Sequence, residues 1–197
     1  MFDKSVREAA EAVEADYGNY SAHLFLANSF ASRIDQRAGN LRFETAALSE
    51  LLTANMLAPA GAGSLSQNIS AQEFSRFFEG DRLGVFNQTE YSSNGDWRQS
   101  VSLYGAKGGV GYALDGGYRF DNRQRRNNDS EERSLSLKLK FQVSPRDSIY
   151  IQTGYFDSQA GDRAQYYDPA SASATARVRE RHESIVFAGM QHEWQPG

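Results

Sequence analysis

The sequence predicts an α+β chain, with an N-terminal helical unit followed by an antiparallel β-meander, and two observations carry that prediction. Apolar residues recur at three- and four-residue intervals up to about Asp81 and at two-residue intervals after it. The connections in the second part alternate between short and long, as they do when successive strands run up and down. On this basis residues 1–35 form a helix hairpin, 36–81 a helical linker and 82–197 a run of antiparallel strands.

In the first unit Val6, Ala9, Ala10, Val13 and Tyr17 share one helical face, and Gly18-Asn19 breaks the helix before a second periodic run from Ser21 to Arg33. Within that run His23, Leu26, Ala27 and Phe30 follow the spacing large-x-x-Leu-small-x-x-aromatic, in which the small residue lets two helices approach closely. This is the spacing of a tetratricopeptide first helix; any amphipathic helix pair is the alternative reading. Gly39 interrupts what would be a further helix. A third helical stretch, Glu44 to Met56, carries Leu48, Leu51, Leu52 and Met56. The breaker run Pro59-Ala60-Gly61-Ala62-Gly63 ends it. Ser70 with Glu73 forms a capping box ahead of Phe74, Phe77 and Phe78, which predicts a short helix there. Solenoid repeats bury their faces only in company, with about three units needed. One and a half repeats therefore read as the end of a longer array.

Six strands are predicted, over 82–91, 97–106, 110–120, 134–143, 148–156 and 184–194. The fourth is the clearest, with Leu135, Leu137, Leu139, Phe141 and Val143 on one face and Ser134, Ser136, Lys138, Lys140 and Gln142 on the other. The third sets Val110, Tyr112, Leu114, Tyr118 and Phe120 against Gly111, Ala113, Asp115, Gly117 and Arg119. The first and sixth alternate poorly. Gly108-Gly109 and Ser144-Pro145-Arg146-Asp147 are tight, whereas 121–133 and 157–183 are long and polar. All the long loops thus fall at one end, the arrangement of an outer-membrane β-barrel with short periplasmic turns. Aromatic placement agrees, with Tyr91, Trp97, Tyr118, Phe120, Tyr155 and Phe156 expected near the outer strand ends and Phe141, Tyr150 and Trp194 near the inner ones. Six strands cannot close a barrel, since the smallest single-chain bacterial ones have eight. The expected architecture is therefore an incomplete transmembrane barrel.

Composition narrows the functional classes. With 21 Lys+Arg against 25 Asp+Glu the net charge is -4, which gives no electrostatic footprint for nucleic acid. Absence of cysteine excludes disulfides, thiolate metal sites and cysteine nucleophiles. Phe2 to Glu8 lack a basic segment followed by an apolar one, so the chain as written carries no signal peptide. No window supplies the roughly 20 apolar residues of a spanning helix, which leaves strands as the route across a membrane.

The segments NYSAHLFLANSF, LRFETAALSELLTANMLAP, LSQNISAQEFSRFFEGDRLGV, TEYSSNGDWRQSVSLYG and AQYYDPASASA resemble bacterial tetratricopeptide-repeat proteins that continue into an outer-membrane β-barrel. The likeness runs from about Asn19 to the end, is strongest over Leu41 to Val85, and contains no chemical motif. It implies a pore, export component or surface scaffold in the outer membrane. Its partners would be outer-membrane lipid, a periplasmic protein recruited by the helical repeat, and an exported substrate such as a polysaccharide. The N-terminal part would lie in the periplasm. Most repeats, a signal peptide and the remaining strands of that pattern are missing.

The search for chemistry returns little. The three histidines, His23, His182 and His192, have no metal-ligand spacing, and no serine lies in a G-x-S-x-G context. His23 reads as a helix-packing residue. The glycine-rich places lack the Lys and helix start of a phosphate loop. Residues Asn127 to Glu132 lack the alternating ligands and central Gly of an EF-hand and read as a solvated loop. No catalytic, cofactor or metal residue is assigned, no cofactor is expected, and the chain is read as non-catalytic. The candidate functional residues are those of a polar lumen wall: Arg98, Ser100, Ser102, Asp115, Arg119, Lys138, Lys140 and Gln142. A second reading makes the strands a soluble or cell-surface antiparallel domain that binds carbohydrate or protein through loops 121–133 and 157–183. A third, a hydrolase using Asp157, Asp162 or Asp168, has no fixed pairing of carboxylates behind it.

Overall fold

The structure, a computed structural model, describes residues 2–31, 46–60, 81–123, 125–164 and 168–194. It is an α+β arrangement of helices α1 (Phe2–Ala15), α2 (Tyr20–Ala31) and α3 (Ala46–Leu57), then strands β1 (Arg82–Tyr91), β2 (Trp97–Lys107), β3 (Val110–Asp121), β4 (Ser130–Gln142), β5 (Asp147–Ala160) and β6 (Val178–His192). The helix expected after Ser70 and the interruption at Gly39 lie outside the described residues.

The α1–α2 turn is set by side chains that satisfy backbone donors. Asp16 accepts from Gly18 N–H, and the Asn19 side chain accepts from Ser21 and Ala22 N–H at 3.1 and 3.2 Å, capping α2. Ala9 and Val13 of α1 bury against Leu26 of α2, with Val6, Ala22 and Phe30 around them. The residues of the large-x-x-Leu-small-x-x-aromatic spacing therefore share a packed face: His23, Leu26 and Ala27 are buried, and Phe30 lies against the cluster. Helix α3 packs on α2 from one side and on β5 and β6 from the other. Contact on two sides explains why α3 buries Leu52, Ala54 and Asn55, with Ala58 just beyond its end, rather than a single stripe.

The strands form one antiparallel sheet in the order β1-β2-β3-β4-β5-β6, and this meander is open, with β1 and β6 at its edges. Two of its turns are tight. Gly108 and Gly109 have φ of 57° and 79°, the doubly positive geometry of a two-residue hairpin, which glycine adopts without a steric penalty. At 143–146 the Ser144 hydroxyl accepts from Arg146 and Asp147 N–H. These turns share one end of the sheet, the hairpin end; 92–96, 122–129 and 161–177 share the other, the loop end.

The register fixes two faces. Leu103, Leu114, Leu137 and Thr153 are cross-strand neighbours on one face, and Ser102, Asp115, Ser136 and Gly154 on the other. The first, the open face, exposes Val85, Leu103, Leu114, Leu135, Leu137 and Met190. The second bears α3, where Leu52 clusters with Ala113 and Tyr150 under Tyr104 and Phe187.

Two expectations are corrected. β4 begins at Ser130, β5 runs on to Ala160 and β6 begins at Val178, so both long loops are shorter than their sequence suggests. The apolar alternation stops at Leu135 and Tyr155, but the backbone ladder continues through polar pairs such as Glu132 with Ser158. Tyr150 and Phe156 are not lipid-girdle residues on the open face: their register with Lys140 and Ser134 turns them to the α3 side, where Tyr150 is fully buried. β6 alternates poorly because it holds a bulge. Gly154 pairs with Ile185 but Phe156 pairs with His182, one extra residue on β6.

Candidate functional site

All eight candidate residues, Arg98, Ser100, Ser102, Asp115, Arg119, Lys138, Lys140 and Gln142, lie on the α3-bearing face, because two-residue periodicity carries each pair register across the sheet unchanged. They form three groups along the strands. At the loop end Arg98 and Arg119 are direct cross-strand neighbours, and like charges so placed repel. Asp121 offsets the repulsion: its carboxylate receives Arg119 Nε at 3.1 Å and Nη2 at 2.8 Å and lies 3.8 Å from Arg98.

At mid-strand the Ser102 hydroxyl donates to Asp115 Oδ1 at 2.6 Å, fully buried, with Ser100 one pair nearer the loop end. Lys138, 1% exposed, is diagonal to Asp115 and interacts with it as an opposite charge. A charge this deeply buried costs several kcal/mol of lost hydration unless a partner compensates it.

At the hairpin end the Lys140 ammonium donates to the main-chain carbonyls of Asn55, Met56 and Ala58. The last carbonyls of a helix have no intrahelical donor and mark the negative end of its dipole. Lys140 supplies three N–H donors at that point, so a side chain of β4 caps α3. Beside it a cleft of 250 Å³ is lined by Ala58, Pro59, Gln142, Arg146, Ser148 and Glu193, among others. Gln142 itself closes on the turn, donating to Ser144 O at 2.8 Å.

The face is thus partly occupied: Lys140 grips a helix, while Ser102, Asp115 and Lys138 are buried. Sequence reasoning missed the β5 contribution. Tyr150 donates to Gln152 Oε1 at 2.6 Å, with the Asn55 carboxamide near the same hydroxyl, and Ser148 continues the row. Period two from Gln152 would have found all three. His23 packs between helices as expected, with Nε2 2.9 Å from Tyr17 O and Nδ1 2.5 Å from Glu50 of α3.

The two long loops form one unit. Asn127, with φ of 57°, donates from its side chain to Ser173 O and Ala176 O at 2.9 and 2.8 Å, and Arg125 reaches Asp162 O at 2.8 Å. Arg177 lies 2.7 Å from Asp129 and holds that carboxyl below its ordinary value. Asp96, in the third connection at this end, is likewise lowered by hydrogen bonds from the Asn94 side chain and the Asn122 N–H. Asp157, Asp162 and Asp168 are each engaged separately. Asp157 binds Arg179, Asp162 receives the N–H groups of Ala164 and Ser173, and Asp168 that of Ala170.

Among the described residues no three His, Asp or Glu side chains group as a metal site, and no helix is long and apolar enough to cross a membrane. Comparison with known protein families, with curated proteins and with solved structures found no match.

Proposed function

We propose that the chain is part of a bacterial outer-membrane β-barrel with periplasmic helices, serving as a pore, export component or surface scaffold. One observation carries this reading: across β2 to β5 the sheet exposes an apolar mid-strand band that includes Leu103, Leu114, Leu135, Leu137 and Ile149, while Asp115, Lys138 and Lys140 lie buried on the α3 side. On β4 the apolar row from Leu135 to Val143 spans about 26 Å at ~3.3 Å per residue. Six strands at ~4.8 Å spacing make it about 24 Å wide. The enclosed area, roughly 600 Å², is at the upper end of what a soluble monomer leaves bare. Tilted by ~40°, a row of this length rises about 20 Å and covers most of an apolar band ~25 Å tall. Aromatic Tyr91, Trp97, Tyr118 and Phe120 stand at the loop-end margin of the same face, where an interfacial girdle belongs. Short turns at one end and long loops at the other give the periplasmic and external sides. Barrel closure would take strands beyond the six. The tetratricopeptide reading of α1 and α2 rests on the packed His23, Leu26, Ala27 and Phe30 face, and makes those helices a docking unit for a periplasmic partner.

Flotation with phosphatidylcholine vesicles tests the membrane assignment. The chain is expected to float with vesicles, and Leu137→Arg to reduce the floated fraction more than tenfold, since Arg at midplane costs about 2–4 kcal/mol. A chain that stays monodisperse in aqueous buffer and ignores vesicles would exclude it. The second reading, a soluble domain binding carbohydrate or protein through its loops, is favoured by the hydrogen-bonded union of 122–129 with 161–177.

A further inference from the structure

The loop-end margin of the open face carries a row that the barrel reading leaves unexplained. Above the apolar band, Tyr118 pairs with Arg133, Arg133 with Asp157, and Asp157 with Arg181. One rung higher, Trp97, Phe120, Glu131, Gln159 and Arg179 follow one another across the sheet. Aromatic girdle residues and three arginines therefore stand at the same height and point the same way.

Two of these arginines face this side because of the β6 bulge. Below it Val186, Ala188 and Met190 occupy the open face, a parity that would send Glu180 and His182 outward and Arg179 and Arg181 inward. The extra residue reverses the parity, and Arg179 and Arg181 emerge opposite Gln159 and Asp157.

Their geometry is fixed from within the face. Arg179 grips Asp157 through Nε at 3.0 Å and Nη2 at 2.8 Å, Arg133 grips Glu131 through Nε at 3.2 Å and Nη2 at 2.6 Å, and Arg181 lies 5.8 Å over the Tyr155 ring. Each ion pair uses two of the five guanidinium N–H donors. Arg133 and Arg179 nonetheless keep more than half of their side-chain surface exposed. Three guanidinium groups against two carboxylates leave the patch one charge positive in a chain of net charge -4.

We infer that Arg133, Arg179 and Arg181 form a docking site for the phosphate headgroup of an anionic lipid, whose acyl chains lie along the apolar band below. The inference rests on the membrane reading and adds a lipid preference to it. Guanidinium forks match phosphate oxygens, and basic residues at the headgroup level attract phosphorylated lipids. An apolar surface directly beneath the cations suits a lipid and not a free anion.

Flotation is measured with vesicles of phosphatidylcholine alone and of phosphatidylcholine with phosphatidic acid. The chain is expected to bind the second about tenfold more tightly. A triple variant, Arg133→Gln with Arg179→Gln and Arg181→Gln, should lose that difference while binding phosphatidylcholine as before, which also shows that its fold is retained. A control that removes equal charge elsewhere, Arg123→Gln with Arg126→Gln and Arg146→Gln, should keep the preference. Equal binding of the unaltered chain to both vesicles, or a preference surviving in the first triple variant, overturns the lipid site alone. Binding to neither vesicle overturns the membrane reading and the site with it.

Discussion

A buried charge at mid-sheet sets the sharpest residue-scale expectation. Lys138 reads in the sequence as one of several polar residues facing a lumen, where exchange for serine would cost little. Its burial beside Asp115 changes that. Lys138→Ser removes the opposite charge beside a buried carboxylate, and is expected to destabilise the fold by about 3 kcal/mol. Lys138→Met with Asp115→Leu removes both charges and should recover most of the loss. Urea unfolding midpoints of the two variants measure it; equal destabilisation would show that the charges act independently. Which face Lys138 occupies is legible from strict alternation over Leu135 to Gln142. That it is buried is not, because alternation says which side a residue takes and nothing of what covers it.

At the scale of elements, the strand cores and tight turns were readable from the sequence and the strand ends were not. Leu135 to Phe141 announces a strand by its apolar rhythm. Ser130 to Arg133, Gln159 and Val178 to Arg181 pair just as regularly, but with charges and hydroxyls on both faces, so no rhythm marks them. The outward arginine row was invisible for this reason, and because the bulge that creates it is one residue within a poorly alternating strand. The loops so shortened are tied together, and the tie is pH-dependent. Arg177 depresses the Asp129 carboxyl, so the folded form takes up this proton less readily than the unfolded chain. Its contribution is complete above the ordinary value of 3.8 and is lost as pH falls through the lower folded value. Hydrogen exchange in residues 161–177, corrected for intrinsic rates, should be unchanged between pH 7 and pH 5 and rise below 3.8. Arg177→Gln should raise it at pH 7 and pH 5 and abolish the acid-dependent rise.

For the whole molecule, the open sheet decides behaviour in solution. β1 and β6 are both edge strands, and an apolar face lies between them. Bare edges beside apolar surface recruit further strands. The chain is expected to aggregate in detergent-free buffer and become monodisperse in a mild detergent, as read by light scattering; a monodisperse chain without detergent would favour the soluble-domain reading. One contact across the molecule also orders its folding in time. The carbonyls that close α3 meet their lysine 82 to 85 residues later in the chain. Closing so long a loop is slow compared with forming a helix turn. Until β4 is placed the α3 end lacks this cap, and its last carbonyls turn to water instead. Docking of α3 on the sheet therefore waits for β4, β5 and β6, although the helix precedes all three in the chain.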